Sequence, residues 1–150
     1  MTQEDAKGGW IEAERLRPRT GSVYPEPYAA PLTGREKRAL GDALGLSQFG
    51  VNLVTLRPGA WSSQRHWHEN EDEFVYVLQG EITLVTDAGE TLLKPGMAAG
   101  FPAGKPDGHH LINRASEPAV YLEVGTRAQT EVAHYSDIDL GGRKENGRYV

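Results

Sequence analysis

The sequence predicts an all-β protein built as a sandwich or barrel of short antiparallel strands. The 150 residues include 18 glycines and 9 prolines, too many turn residues for a helix bundle. Between them lie segments rich in β-branched and aromatic residues, each roughly five residues long, which is an ordinary strand length. Short strands that alternate with glycine and proline turns are typical of antiparallel sandwiches and barrels.

Residues 1–45 are predicted to form an irregular N-terminal arm. Its aromatic and apolar residues indicate that the arm lies on the barrel or on a partner subunit. Thr33 and Glu36 have the spacing of a capping box, which predicts a short helix that the nearby glycines weaken. Four prolines exclude a regular helix before that point: Pro18, Pro25, Pro27 and Pro31.

Residues 46–126 are predicted to form the barrel, because strand patterns and turn residues alternate throughout this range. After Arg127 the chain becomes polar, and residues 127–150 are predicted to be a C-terminal extension with few apolar anchors. The predicted strands cover 49–57, 61–68, 73–78, 81–86, 90–94, 97–101, 109–113 and 119–125.

Composition limits the partners and the chemistry. Sixteen basic and 21 acidic residues leave a net charge of −5, and no basic stretch is clustered, so we expect neither nucleic acid nor a membrane as partner. No apolar segment is long enough to cross a bilayer, and the polar start lacks an export signal, so we expect a cytoplasmic protein. The absence of cysteine excludes a disulfide, a thiolate metal site and a cysteine nucleophile.

The segment from His66 to Glu73 is predicted to carry the chemistry. Residues two apart on a strand face the same side, so His66 and His68 project together while Trp67 points away. Two imidazoles on one face can hold one divalent ion, and the Glu73 carboxylate at the start of the next strand could reach the same ion. The surrounding acidic residues are more typical of a solvated turn.

A third imidazole could come from His109 or His110, at the start of a later strand. Because neighbouring residues on a strand face opposite sides, a shift of one residue would exchange the two. Three histidines and one glutamate without sulfur suit a divalent transition metal ion such as Fe, Mn, Co, Ni, Cu or Zn.

Strand alternation also predicts the walls of a pocket around this cluster. Ser62 and Gln64 share the orientation of His66 and His68, Val75 and Val77 share that of Glu73, and Phe101 could close the mouth. These residues predict a mostly apolar small-molecule site, although the apolar ones are also ordinary core positions. The opposite face of the third predicted strand is apolar, which predicts contact with the arm or a homodimer: Phe74, Tyr76 and Leu78.

The order of these residues resembles the two motifs of the cupin superfamily. In the first motif, six residues separate Gly59 from His66, which is one more than is usual in the family. Four residues then separate His68 from Glu73, and six separate Glu73 from Gly80, as the family pattern requires. In the second, five residues separate Gly96 from Pro102-Ala-Gly104, and three separate His109 from Asn113. Four residues, instead of the family's two, separate Gly104 from His109.

The resemblance covers residues 46–126 and implies an antiparallel double-stranded β-helix, the jelly-roll barrel of the cupins. Carried over by position, it implies that His66, His68, Glu73 and His109 bind one divalent transition metal ion. The insertion before His109 leaves His110 as the alternative fourth ligand.

Two functions are consistent with this resemblance. The first is a metal-dependent enzyme (an isomerase, lyase, decarboxylase or dioxygenase) acting on a small sugar, organic acid or aromatic compound. The second is a non-catalytic cupin that binds a metal or small molecule in a sensing or regulatory role. A complete ligand set favours the enzyme, because binding alone does not require a metal.

Overall fold

Antiparallel strands make up most of the fold in a computed structural model that describes residues 8–149. The first seven residues of the predicted arm and the final Val150 lie outside this range. The elements are β1 (Arg19–Thr20), β2 (Arg35–Ala39), α1 (Leu40–Ala43), β3 (Phe49–Leu56), β4 (His66–His68), β5 (Glu73–Gln79), β6 (Ile82–Thr86), β7 (Gly89–Leu93), β8 (Ala98–Phe101), β9 (His110–Ile112), β10 (Ala119–Thr126), β11 (Glu131–Tyr135), β12 (Gly141–Glu145) and β13 (Arg148–Tyr149). Single 3-10 turns cover Ala13–Arg15 and Ala30–Leu32.

The strands form two facing layers. One layer is a six-stranded sheet in the order β1-β2-β3-β10-β5-β8, and the other consists of β7-β6-β9 and β13-β12-β11-β4. A bridge between His66 and His109 joins the two parts of the second layer, and a bridge between Trp61 and Ile112 attaches the segment before β4 to β9. The predicted all-β jelly-roll barrel is confirmed.

The core lies between the layers and explains the alternation of the strands. Along β3 every second residue is buried, and Val54 and Leu56 among them belong to a hydrophobic cluster with inward residues of β5, β6, β9 and β10. Gly80 follows β5 with a φ of 75°, and a Cβ there would lie 2.6 Å from the backbone oxygen of Pro118, so only glycine fits this turn. Within the described residues, no helix is long and apolar enough to cross a membrane.

The helix predicted from the capping box is wrong for most of its length. Residues Arg35–Ala39 form β2, which pairs with β3 from Arg35↔Leu56 onward, and only Leu40–Ala43 is helical. The Thr33 hydroxyl donates to the carbonyl of Ala30 and does not cap a following helix. Pairing along the edge of β3 satisfies the backbone of this segment, and this outweighs its weak local helix preference.

Two other predictions differ from the structure. The predicted strand over 61–68 is reduced to His66–His68, because the residues before it run as an irregular segment that holds the N-terminal arm. The C-terminal extension is itself β-structure, and β11 pairs with β4 in the register Ala133↔His68. Its polar composition hid this, because β11 buries Glu131 as well as Ala133.

The outer face of β5 is apolar, as the alternation predicts. Phe74, Tyr76 and Leu78 are 41%, 38% and 49% exposed, while Val75 and Val77 are buried. Exposure of this face is consistent with the expected homodimer, which stays a prediction.

Candidate functional site

β4 places two imidazoles side by side. The Nε2 atoms of His66 and His68 lie 3.1 Å apart, and their rings meet edge to face. Trp67 points the other way and stacks on His134 from β11, with ring centroids 4.2 Å apart. The pleat of a strand therefore orients both histidines as the sequence predicts.

Glu73, the first residue of β5, brings a carboxylate to the same point. Its Oε1 lies 3.1 Å from His68 Nε2 and 3.5 Å from His66 Nε2, and its Oε2 contacts His109 Nε2. One ligand atom from each of His66, His68 and Glu73 falls within 4.8 Å of the others. His109 adjoins this group through the carboxylate.

His109 is directed inward by a single β-bridge. Its backbone N–H donates to the His66 carbonyl at 2.9 Å, and the His66 N–H donates back at 3.2 Å. The ring lies flat against Phe101, with centroids 3.6 Å apart, so Phe101 forms one wall beside the imidazole.

His110 faces away from this cluster. Its Nδ1 lies 2.9 Å from the carbonyl oxygen of Ser63, to which it donates, and its ring edge packs against Trp61. Of the two histidines that the sequence left as alternatives, the structure therefore brings His109 to the cluster.

Hydrogen bonds orient two of the three clustered imidazoles. His66 Nδ1 lies 2.7 Å from the Gln64 carbonyl oxygen, and His109 Nδ1 lies 3.2 Å from that of Asp107. A carbonyl accepts and never donates, so this network assigns the proton of each neutral ring to Nδ1. The lone pair on each Nε2 then points into the cluster.

The electrostatics of the cluster favour positive charge. Burial would raise the pKa of the Glu73 carboxyl, but its contacts with the Nε2 atoms of His109, His66 and His68, each a hydrogen bond when that nitrogen carries a proton, hold the pKa well below its ordinary value. Burial lowers the pKa of His68, but its hydrogen bond to Glu73 and the charges of Glu73, Glu131 and Glu71 more than offset this, so the pKa is raised. A cation at this point is thus stabilised from several sides.

An arginine clamp fixes the inserted residues before His109. Arg65 donates to the Gly108 carbonyl at 3.1 Å and makes two 2.9 Å hydrogen bonds to the Asp137 carboxylate. A Cβ at Gly108 would overlap the Ser136 hydroxyl and lie 3.0 Å from the Ser136 Cβ, so a larger residue here would require Ser136 to move. The insertion that makes the motif irregular is therefore held in one position, with His109 facing inward.

A cavity of about 290 Å³ opens beside the cluster. Its apolar walls come from β6 and β8, and its polar groups come from the histidine cluster and from the loop before His109. The lining residues are Trp67, His68, Glu71, Glu73, Leu84, Thr86, Ala99, Gly100, Phe101, Pro102, Lys105, Asp107 and His109.

Of the predicted pocket walls, only Phe101 lines this cavity. Val75 and Val77 belong to the hydrophobic core, which is the alternative to a pocket wall that the sequence left open for them. The Ser62 hydroxyl accepts a backbone N–H from β9, and the Gln64 amide donates to a carbonyl of the N-terminal arm. Both are structural because their hydrogen bonds are used within the fold.

Sequence reasoning missed several residues around the cavity. Leu84 and Thr86 are alternate residues of β6, so strand alternation could have found them. Lys105 and Asp107 lie in the lengthened segment between Gly104 and His109, where no motif applies. Glu131, behind His68, belongs to the extension and carries no sequence signal.

A small antiparallel barrel with histidines and a glutamate converging in its interior is the architecture of the cupins. The family model for the cupin domain matches residues 52–125. This chain belongs to the cupin superfamily.

The likeness to solved structures also covers the N-terminal arm and the C-terminal extension. A sugar phosphate isomerase of the cupin superfamily from Silicibacter pomeroyi is 48% identical, with 95% of this chain and 90% of that chain covered and a TM-score of 0.91. A candidate sugar phosphate isomerase from Acidithiobacillus ferrooxidans is 29% identical over 94% and 89% of the two chains, with a TM-score of 0.83. No curated protein sequence matches the chain.

The fold also occurs in a more distant protein. A polyketide cyclase from Streptomyces resistomycificus is 22% identical over 79% of this chain and 78% of its own, with a TM-score of 0.63. This likeness shows the shared fold alone.

Proposed function

We propose that this protein is a divalent-metal-dependent cupin enzyme that isomerises a small sugar phosphate, with the metal held by His66, His68, Glu73 and His109. The convergence of three imidazole nitrogens and a carboxylate beside a cavity carries the proposal. The substrate class is supported by the name of the 48% identical Silicibacter pomeroyi protein.

The donor set fits a metal ion. His66 and His68 direct Nε2 atoms toward each other at 3.1 Å, and lone pairs at that distance repel unless a proton or a cation lies between them. Nitrogen and carboxylate ligands without sulfur suit the first-row transition metals from Mn to Zn. A divalent ion bound there supplies Lewis-acid polarisation of a substrate oxygen.

The cavity supplies a partly dry environment for a small polar substrate. Leu84, Ala99 and Phe101 are apolar walls that exclude water beside the cluster. Its volume of about 290 Å³ is at the small end of ligand pockets, which suits a substrate of a few carbons. Lys105, exposed on the loop, is placed to attract a phosphate group.

Asp107 is assigned the proton transfer that isomerisation requires. An aldose–ketose exchange removes a proton from the carbon beside the carbonyl and returns one to the former carbonyl carbon, so it needs a base that touches the substrate. Of the cavity carboxylates, Glu73 belongs to the cluster and Glu71 is 2.6 Å from the Lys144 ammonium. Asp107 is therefore the cavity carboxylate that is left to act as the base. Its Oδ1 accepts the backbone N–H of Asp87 at 2.9 Å, and this hydrogen bond orients the carboxylate.

The test is solvent deuterium exchange into aldose and ketose phosphates, followed by NMR with protein loaded with Mn, Fe, Co, Ni, Cu or Zn. We expect exchange and isomerisation with at least one metal form and loss of both after chelation. Asp107→Asn should lower kcat by about 10²–10⁴-fold while metal binding is retained, since removing a general base has an effect of that size.

Asp139→Asn is the matched control, because Asp139 is exposed and does not line the cavity. It should leave kcat unchanged. A sugar phosphate that binds but is neither exchanged nor isomerised by any metal form would contradict the proposed enzymatic activity. It would favour a non-catalytic cupin that binds a small molecule.

A further inference from the structure

A buried carboxylate from the C-terminal extension lies behind one of the clustered histidines. Glu131 opens β11 and is 0% exposed, and its Oε1 lies 3.3 Å from His68 Nδ1. The same carboxylate accepts the backbone N–H groups of Glu69 at 2.7 Å and Asn70 at 2.8 Å. It therefore touches both the ring of His68 and the turn that leads from His68 to Glu73.

His68 differs from the other two histidines in what lies at Nδ1. Backbone carbonyls accept from His66 and His109, whereas His68 Nδ1 is buried and has no hydrogen bond of good geometry among the described residues. The Glu131 oxygen at 3.3 Å is close enough for a small rotation of the ring to complete one. Glu71 Oε1 is farther from this nitrogen, at 3.9 Å.

A carboxylate in this position does more for a ligand than a carbonyl does. It holds the proton on Nδ1, fixes the plane of the ring and makes the Nε2 lone pair more basic, so that Nε2 binds a metal more strongly. This is the role of acidic partners behind metal-ligating histidines. β11 also sets the backbone of His68, because it pairs with β4 at Ala133↔His68.

We propose that Glu131 is a positioning residue for metal binding, which orients His68 with Nε2 toward the metal, so that the C-terminal extension completes a site whose four ligands all lie in the cupin barrel. This inference rests on the proposed metal site. The competing explanation is that Glu131 only anchors the turn through the two backbone N–H groups.

Glu131→Gln and Glu71→Gln separate the two explanations. Both variants remove a buried carboxylate that ties the 69–72 turn to the C-terminal extension, since Glu71 accepts from Ala128 N and contacts Lys144. Only Glu131 lies within hydrogen-bonding reach of His68 Nδ1. Metal-stripped proteins are titrated with Co(II), with the visible spectrum and the melting temperature recorded.

For Glu131→Gln we expect Co(II) affinity to fall by about 10–100-fold, the usual effect of losing such a partner, and the visible spectrum to change. Glu71→Gln should lower the melting temperature and weaken Co(II) binding less than Glu131→Gln does, because it removes a nearby charge but not the acceptor beside His68 Nδ1, and it should keep the Co(II) spectrum. Wild-type affinity and spectrum in a folded Glu131→Gln would overturn this inference alone. Absence of Co(II) binding by the wild type would overturn the metal site and, with it, the proposed function.

A measurement on the wild type covers the case in which Glu131→Gln does not fold. In long-range ¹H–¹⁵N spectra of the Zn(II) form, we expect a slowly exchanging proton on His68 Nδ1, shifted downfield of those on His66 and His109 because its acceptor is a carboxylate. A His68 Nδ1 proton that exchanges fast and is not shifted relative to those of His66 and His109 would refute the inference alone, whereas a proton on His68 Nε2 would contradict the metal site itself.

Discussion

His109→Ala is expected to lower the affinity for a divalent transition metal at least about 100-fold, because losing a direct ligand exceeds the effect of losing an outer partner. His110→Ala is expected to leave that affinity nearly unchanged. The reason is geometry: the His109 ring contacts Glu73, whereas the His110 ring packs on Trp61 and donates to Ser63.

The measurement is calorimetric titration of both metal-stripped variants with Zn(II) or Mn(II). His110→Ala is the matched control, because it removes a neighbouring buried imidazole and should cost about 1–2 kcal/mol of unfolding free energy. Equal losses of affinity in the two variants, or a larger loss for His110→Ala, would contradict the assignment of His109.

Leu32→Ala is expected to lower the free energy of unfolding by about 2–5 kcal/mol, the range for removing a fully buried leucine side chain. Leu32 is 0% exposed although it belongs to the N-terminal arm. The arm is also bound to the segment before β4, since the Pro31 carbonyl accepts the Trp61 N–H at 2.9 Å and Arg35 donates to the Ser62 carbonyl at 2.8 Å.

Chemical denaturation of Leu32→Ala and Leu46→Ala tests this packing. Leu46 is 38% exposed, so its truncation should cost less than about 1 kcal/mol. If the two variants unfold at the same denaturant concentration, the arm does not contribute to the core as the structure has it.

Much of the barrel could be predicted because each signal was local. Strand alternation and the glycine and proline turns located most strands of 46–126, and the spacing of His66 and His68 on one strand fixed their common orientation. Family spacing selected His109 over His110, but pleat alone could not, because the four-residue gap before His109 departs from the motif.

The other features depend on contacts between distant parts of the chain. β2 forms where a helix is predicted because β3 offers it an unpaired edge, which no pattern within 33–44 records. The Arg65 clamp joins residues up to 72 positions apart. Glu131 is a buried acid in a polar segment, and only its pairing partner, β4, shows why it is there.

The most direct test of the proposed metal site is the metal content of protein purified without added metal, compared with the His66→Ala/His68→Ala double variant. We predict about one divalent transition metal ion per chain in the wild type, since four ligand atoms in a single cluster make one site, and almost none in a folded double variant. Circular dichroism and the melting curve establish that the variant is folded. Equal metal content in the two proteins, or wild-type protein that neither carries nor takes up a divalent ion, would contradict the account.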